Sequence, residues 1–133
     1  MKFKFLEHTA DIKFRAFGKS LEEVFENAAL AMFNSMYGGK VKSNIKRKIK
    51  VSGKDNESLL YNFLEEFLFL LDSENFFLST VKVKIKGNEL QAEVVGDKAR
   101  NYEVHLDVKA VTYNEMFVKK EKLKYVCQVV LDV

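Results

Sequence analysis

The 133-residue chain has no proline and no tryptophan, a single cysteine, two histidines and six glycines. Each shortage removes a class of protein. The lone Cys127 can close no internal disulfide and offers no Cys-x-x-Cys pair for metal or redox work, so a reducing, cytoplasmic setting is expected. Two histidines are too few for a histidine-rich zinc site. The glycines never fall as Gly-x-x-x-x-Gly-Lys-Ser/Thr, Gly-x-Gly-x-x-Gly or Gly-x-Ser-x-Gly, which removes the common nucleotide-cradling loops and the serine-hydrolase elbow. No run approaches the ~20 apolar residues that cross a bilayer, and Met1 to Leu6 lacks the apolar core of a secretion signal. No membrane association is expected.

Nor is there a linker, an internal repeat or a low-complexity stretch. Residues 1–133 therefore read as one domain, large enough to bury a core without disulfides or a structural metal. Charge is nearly balanced: 22 Lys and Arg stand against 19 Asp and Glu, for a net charge of +3. That balance nominates no polyanion partner by itself. The densest basic stretch, Lys40 to Lys54, holds seven Lys or Arg residues. Its alternation puts Ile45, Ile49 and Val51 on one face of a strand and positive side chains on the other. A lysine-guarded edge strand and a phosphate contact both fit this pattern.

Periodicity gives the elements. Met1 to Leu6 and Asp11 to Phe17 alternate as strands, with Phe3, Phe5, Ile12, Phe14 and Ala16 on one parity, and Gly18 closes the unit. Ser20 followed by Glu23 is a capping box that starts a helix. Leu21, Val24, Phe25, Ala28, Met32 and Met36 form its apolar stripe, which stops before Gly38-Gly39. Gly53 to Asn56 makes a turn with cap residues, and a second helix is expected from Glu57 to Leu71. Its face of Leu60, Phe63, Leu64, Phe67, Leu68 and Leu71 is widened by Phe69 and Leu70, which suits a helix covered on two sides. Strands follow at Phe76 to Lys86 and Glu89 to Val95 around a Gly87-Asn88 hairpin turn. Asp107 to Tyr113, Phe117 to Lys120 and Lys122 to Val130 supply three more. The fold class is α+β, a mostly antiparallel sheet with two helices packed on it.

Few residues are left to carry chemistry. Cys127 lies in the apolar strand Tyr125 to Val129 and reads as a buried thiol. Asp11 sits in an apolar strand run, where a carboxylate is costly to bury unless a positive or hydrogen-bonding group faces it. If the fold brings Asp11 and Asp132 together, a hard cation held by oxygen ligands is the simplest compensator, though sheet-edge or capping roles account for either residue alone. His8, just before Asp11, could orient a carboxylate, bind phosphate or cap a turn. Polar residues also interrupt the strands around Gly96-Asp97-Lys98 and along Asp107 to Tyr113. Lys109 shares its parity with apolar Val111, so it needs a carboxylate partner, an exit to solvent or a ligand.

His8-Thr9-Ala10-Asp11-Ile12, the Phe25 to Met36 and Leu59 to Asp72 helices, Val108-Lys109-Ala110-Val111-Thr112-Tyr113 and Val129-Val130-Leu131-Asp132-Val133 together resemble the archease family, in order and over nearly the whole chain. That resemblance implies an archease-like fold and a partner, the RtcB-type RNA ligase of tRNA splicing and RNA repair. It implies an activator, not an enzyme: the family promotes guanylylation of the ligase histidine and multiple turnover without joining RNA itself. It also implies a metal site, usually calcium, with Asp11, Asp132 and a main-chain or terminal oxygen of Val133 as ligands. Magnesium or manganese would suit the same oxygen donors. His8 and Lys109 become candidates for ligase contact or for supporting the metal ligands. No sequence-specific binding of nucleic acid by this chain is expected.

Two positions depart from the family pattern. Asn114 follows the Thr-Tyr segment where histidine is frequent, and Arg100-Asn101-Tyr102 stands where another histidine is common. Two rival readings remain open at this point. A metal-dependent phosphohydrolase built on Asp11 and Asp132 would normally show a denser set of acidic and histidine ligands. A general chaperone or protein-binding module working through the second helix would require Phe67 and Phe69 to be exposed.

Overall fold

The computed structural model describes residues 1–8 and 10–133; Thr9 of the His-Thr-Ala-Asp segment lies outside the described residues. Among the described residues, alternating apolar residues form seven strands: β1 (Phe3–Leu6), β2 (Ile12–Gly18), β3 (Ile45–Ser52), β4 (Phe76–Lys86), β5 (Glu89–Lys98), β6 (Ala110–Glu121) and β7 (Lys124–Asp132). Two helices, α1 (Leu21–Met36) and α2 (Asn56–Glu74), are inserted on either side of β3. Every strand pairing is antiparallel. The α+β class holds, but the strands divide into two sheets, β1-β2-β7-β6 and β3-β5-β4.

The helices explain the division. Helix α1 packs on β2 of one sheet and β4 of the other, and α2 packs on β6 and β3. A helix that is apolar around most of its circumference needs cover on more than one side, and two sheets provide it. Phenylalanine rings run through the resulting core, from Phe25 on α1 to Phe63 and Phe67 on α2, then to Phe33 and on to Phe77 of β4. Phe67 is fully buried, whereas Phe69 is 60% exposed. Only one of the two rings required by the protein-binding reading is therefore at the surface.

Local sequence sets the helix ends. The Ser20 hydroxyl accepts from the Glu23 N–H at 3.1 Å, as expected, but the Glu23 carboxylate accepts from the Lys19 N–H and not from Ser20. A complete capping box instead starts α2: Asp55 Oδ1 accepts from the Ser58 N–H at 2.7 Å, and Ser58 Oγ accepts from the Asp55 N–H at 3.1 Å. Helix α2 continues three residues past the expected Leu71. It stops at Glu74 because Asn75 takes the left-handed conformation, φ 57°, and donates its N–H to the last carbonyls.

Three helix glutamates complete the sheets. Glu26 accepts from the Val83 N–H, Glu65 from the Val111 N–H and Glu57 from the Val118 N–H. β4 and β6 are edge strands, so these carboxylates satisfy N–H groups that have no neighbouring strand to pair with. The segments expected as separate strands, Asp107 to Tyr113 and Phe117 to Lys120, merge into the single β6. Its register against β7 shifts between Thr112 and Phe117, and Glu115 lies in that interval with φ 55°. At Gly96 the β4 backbone approaches so closely that a Cβ would collide with the Phe77 carbonyl oxygen.

Candidate functional site

The register of β2 on β7 decides whether the terminal acidic residues meet. Its last pair is Ile12 with Leu131, so one further step sets Asp11 opposite Asp132. β6 joins from the other side through the pair Ala110 with Asp132, and the Lys109 N–H donates to the Asp132 carbonyl at 2.8 Å. Asp11, Asp132, Val133 and Lys109 thus lie at one end of the four-stranded sheet. Asp11 and Val133 are half-buried, while Asp132 and Lys109 are exposed. Lys109 resolves its awkward parity by leaving the apolar face, since the strand begins only at Ala110.

His8 enters this end from the loop after β1. Its Nε2 stands 3.2 Å from Oε2 of Glu115, and its Nδ1 lies 3.7 Å from Oδ2 of Asp11. Hydrogen bonds from Lys13 first and His8 second hold the Glu115 carboxyl below the usual carboxylate range. An ionised Glu115 only accepts, so the Nε2 of His8 carries the proton between them. The Nδ1 atom is buried without a hydrogen-bond partner among the described residues. It faces the Asp11 carboxylate.

Glu115 is the residue that sequence reasoning missed. It bridges His8 and Lys13, whose Nζ donates to Oε1 at 2.9 Å, and its carbonyl accepts from Gln128 Nε2 at 2.8 Å. Gln128 is buried in β7 and accepts in turn from Arg15 Nε at 2.9 Å. The available signal was Asn114-Glu115 itself, a polar pair breaking two strand-like runs.

Asp11 and Asp132 carry carboxylates and Val133 a main-chain oxygen, the donor types that a hard cation takes, and Nδ1 of His8 borders Asp11. Among the described residues no group of three or more His, Cys, Asp or Glu side chains is arranged to hold a metal ion. A cation bound here would take much of its shell from water or from a partner. Such a sparse ligand set offers little to a two-metal hydrolase.

The second polar cluster forms elsewhere. Asp97 on β5 is 4% exposed and accepts from the Tyr102 hydroxyl at 2.7 Å, Asn101 at 3.3 Å and Asn44 at 3.4 Å. These bonds, the Tyr102 one foremost, hold its carboxyl at about 2 against desolvation. The Tyr102 oxygen accepts from the Lys42 N–H at 2.8 Å. Asp97 thus pins the 42–44 and 101–102 segments onto the three-stranded sheet and does not join Asp11 and Asp132.

The Archease protein family model (MTH1598/TM1083) matches residues 3–133. The protein archease of Pyrococcus abyssi is 42% identical over 142 residues, covering 99% of each chain. The solution structure of Methanobacterium thermoautotrophicum protein 1598 superposes with a TM-score of 0.82 at 36% identity, covering 99% of both chains. The crystal structure of a Thermotoga maritima archease, described as a possible chaperone, shares the fold with a TM-score of 0.71 at 22% identity, covering 98% of this chain and 96% of that one.

Proposed function

The chain belongs to the archease family, and from that premise we propose that it is a cytoplasmic, non-catalytic activator of an RtcB-type RNA ligase in tRNA splicing or RNA repair. The observation that carries this reading is the meeting of Asp11 and Asp132 at one open end of the four-stranded sheet, with His8 and Lys109 beside them. Asp11, Asp132 and Val133 would hold calcium or another hard divalent cation. When bound, that cation supplies positive charge for phosphate oxygens. Lys109, exposed and outside any ion pair among the described residues, is free to reach a triphosphate. His8, braced by Glu115, sets its Nδ1 beside the Asp11 carboxylate. This end of the molecule borders the nucleotide pocket of the ligase and promotes guanylylation of its histidine.

The test is a guanylylation assay with a purified ligase of this type, GTP and manganese, with and without this protein. Stimulation of guanylylation and multiple turnover supports the activator role, and no stimulation refutes it. Calorimetry with calcium examines the metal site separately: unchanged binding by Asp11→Ala and Asp132→Ala would refute the ligand assignment alone. A protein-binding module working through α2 retains one favourable observation, the exposure of Phe69.

A further inference from the structure

The three-stranded sheet turns Ile49, Val83, Leu90 and Ala92 to the core and a very different face to solvent. Along β3 that face carries Lys46, Lys48 and Lys50; along β4 it carries Lys82, Lys84 and Lys86. The central strand places Glu89, Gln91, Glu93 and the half-buried Val95 between them, with Val95 beside Lys46. The register aligns the rows: Lys48, Glu93 and Lys82 lie side by side, as do Lys50, Gln91 and Lys84. All six lysines are exposed, and among the described residues none is in an ion pair. Six lysines against two glutamates leave this face four charges positive, more than the +3 of the whole chain. The rest of the molecule is slightly acidic.

Lysines on edge strands discourage sheet-to-sheet association, and β3 and β4 are both edges. Edge protection does not require a lysine at every second position of both strands on the same face. Nor does it account for the uncovered concavity of about 470 Å³ bounded by Lys48, Lys50, Lys82, Lys84, Gln91 and Glu93. The lysines repeat about every 6.8 Å along each strand, and the two lines lie roughly 10 Å apart across the middle strand. Regular cation spacing over a concave face suits a regular polyanion. Among the described residues the one apolar side chain on this face is the half-buried Val95 at its Lys46 end, so the face has no platform for stacking bases and little to insert into a lipid layer.

We propose that the solvent face of the β3-β5-β4 sheet is a sequence-independent docking surface for the phosphate backbone of nucleic acid. Glu89 and Glu93 repel phosphate from the middle line and direct the backbone to the lysines on either side. The surface lies on the other sheet from Asp11 and Asp132, so its role is independent of the metal site.

Fluorescence anisotropy with two 20-nucleotide RNAs of unrelated sequence, read at several salt concentrations, tests the proposal. The comparison is between Lys48→Gln/Lys50→Gln/Lys82→Gln/Lys84→Gln and a control with the same charge loss on the β6-β7 hairpin, Lys119→Gln/Lys120→Gln/Lys122→Gln/Lys124→Gln. Wild type should bind both RNAs saturably and alike. The sheet variant should bind at least about ten-fold more weakly, losing roughly 0.7 from the slope of log K against log salt per phosphate contact removed. The hairpin control should stay near wild type. The single Lys82→Glu variant reads the same loss if the quadruple variant does not give the wild-type circular dichroism spectrum. Absence of saturable binding, equal losses in the two quadruple variants, or capture by phosphatidylserine vesicles that RNA does not displace would each overturn it.

Discussion

His8 and Glu115 are 107 residues apart in sequence and 3.2 Å apart in space, where Nε2 of the imidazole meets a carboxylate oxygen. The contact ties the loop after β1 to the irregular part of β6 and holds the other imidazole nitrogen toward Asp11. Glu115 is therefore a positioning residue for the acidic end of the sheet. Its pairs with His8 and Lys13 are solvent-accessible, so they contribute little to global stability. The expected outcome for Glu115→Ala is a melting temperature close to wild type with reduced stimulation of ligase guanylylation. Full stimulation would show that the His8 brace is dispensable.

Gly96 tests the packing of β4 on β5. A methyl group there would collide with the Phe77 carbonyl oxygen, a backbone atom that cannot swing aside. Gly96→Ala should cost ~3 kcal/mol or more in urea unfolding, at the upper end for overpacking. A loss below about 1 kcal/mol would mean that the two strands separate more readily than this geometry implies.

Asp97 predicts how stability responds to acid. Its carboxyl is lowered from 3.8 to about 2, chiefly by the Tyr102 hydroxyl. A depressed carboxylate contributes stability above its unfolded value and loses that contribution as pH falls through its folded value. Tyr102→Phe removes the foremost cause. The gap in melting temperature between wild type and Tyr102→Phe should be constant above pH 3.8 and shrink as pH falls toward 2. A gap independent of pH would contradict the assignment.

Phe67 and Phe69 separate core from surface on one helix. Truncating buried Phe67 to alanine should cost ~3–5 kcal/mol. Phe69→Ser, at a position 60% exposed, should change stability by no more than ~0.5 kcal/mol. If Phe69→Ser also abolished ligase stimulation, α2 would belong to the docking surface.

Much of this arrangement is legible in the sequence because it rests on short-range rules. Alternation at Ile12, Phe14 and Ala16 places β2, and the cap residues at Ser20 and Asp55 place both helix starts. Pairing Asp11 with Asp132 needs only that the two terminal strands be antiparallel neighbours with their apolar parities matched. Glu115 is not legible in the same way. Its position depends on a register shift and a left-handed residue inside β6, and its partners lie 102 and 107 positions away. Splitting the strands into two sheets is also a long-range outcome, decided by which helix faces remain to be covered. Cys127 illustrates the simplest case: an apolar strand predicts a buried thiol, and burial indeed pushes it up to about 12.

The central claim is that Asp11 and Asp132 act together as the business end of a ligase activator. Its most direct test is single-turnover guanylylation of an RtcB-type ligase in the presence of wild type, Asp11→Ala, Asp132→Ala and the double variant. The account predicts stimulation by wild type, loss in each single variant and no further loss in the double variant, because residues acting as one unit are not additive. Full stimulation by both single variants, with all proteins folded, would contradict it.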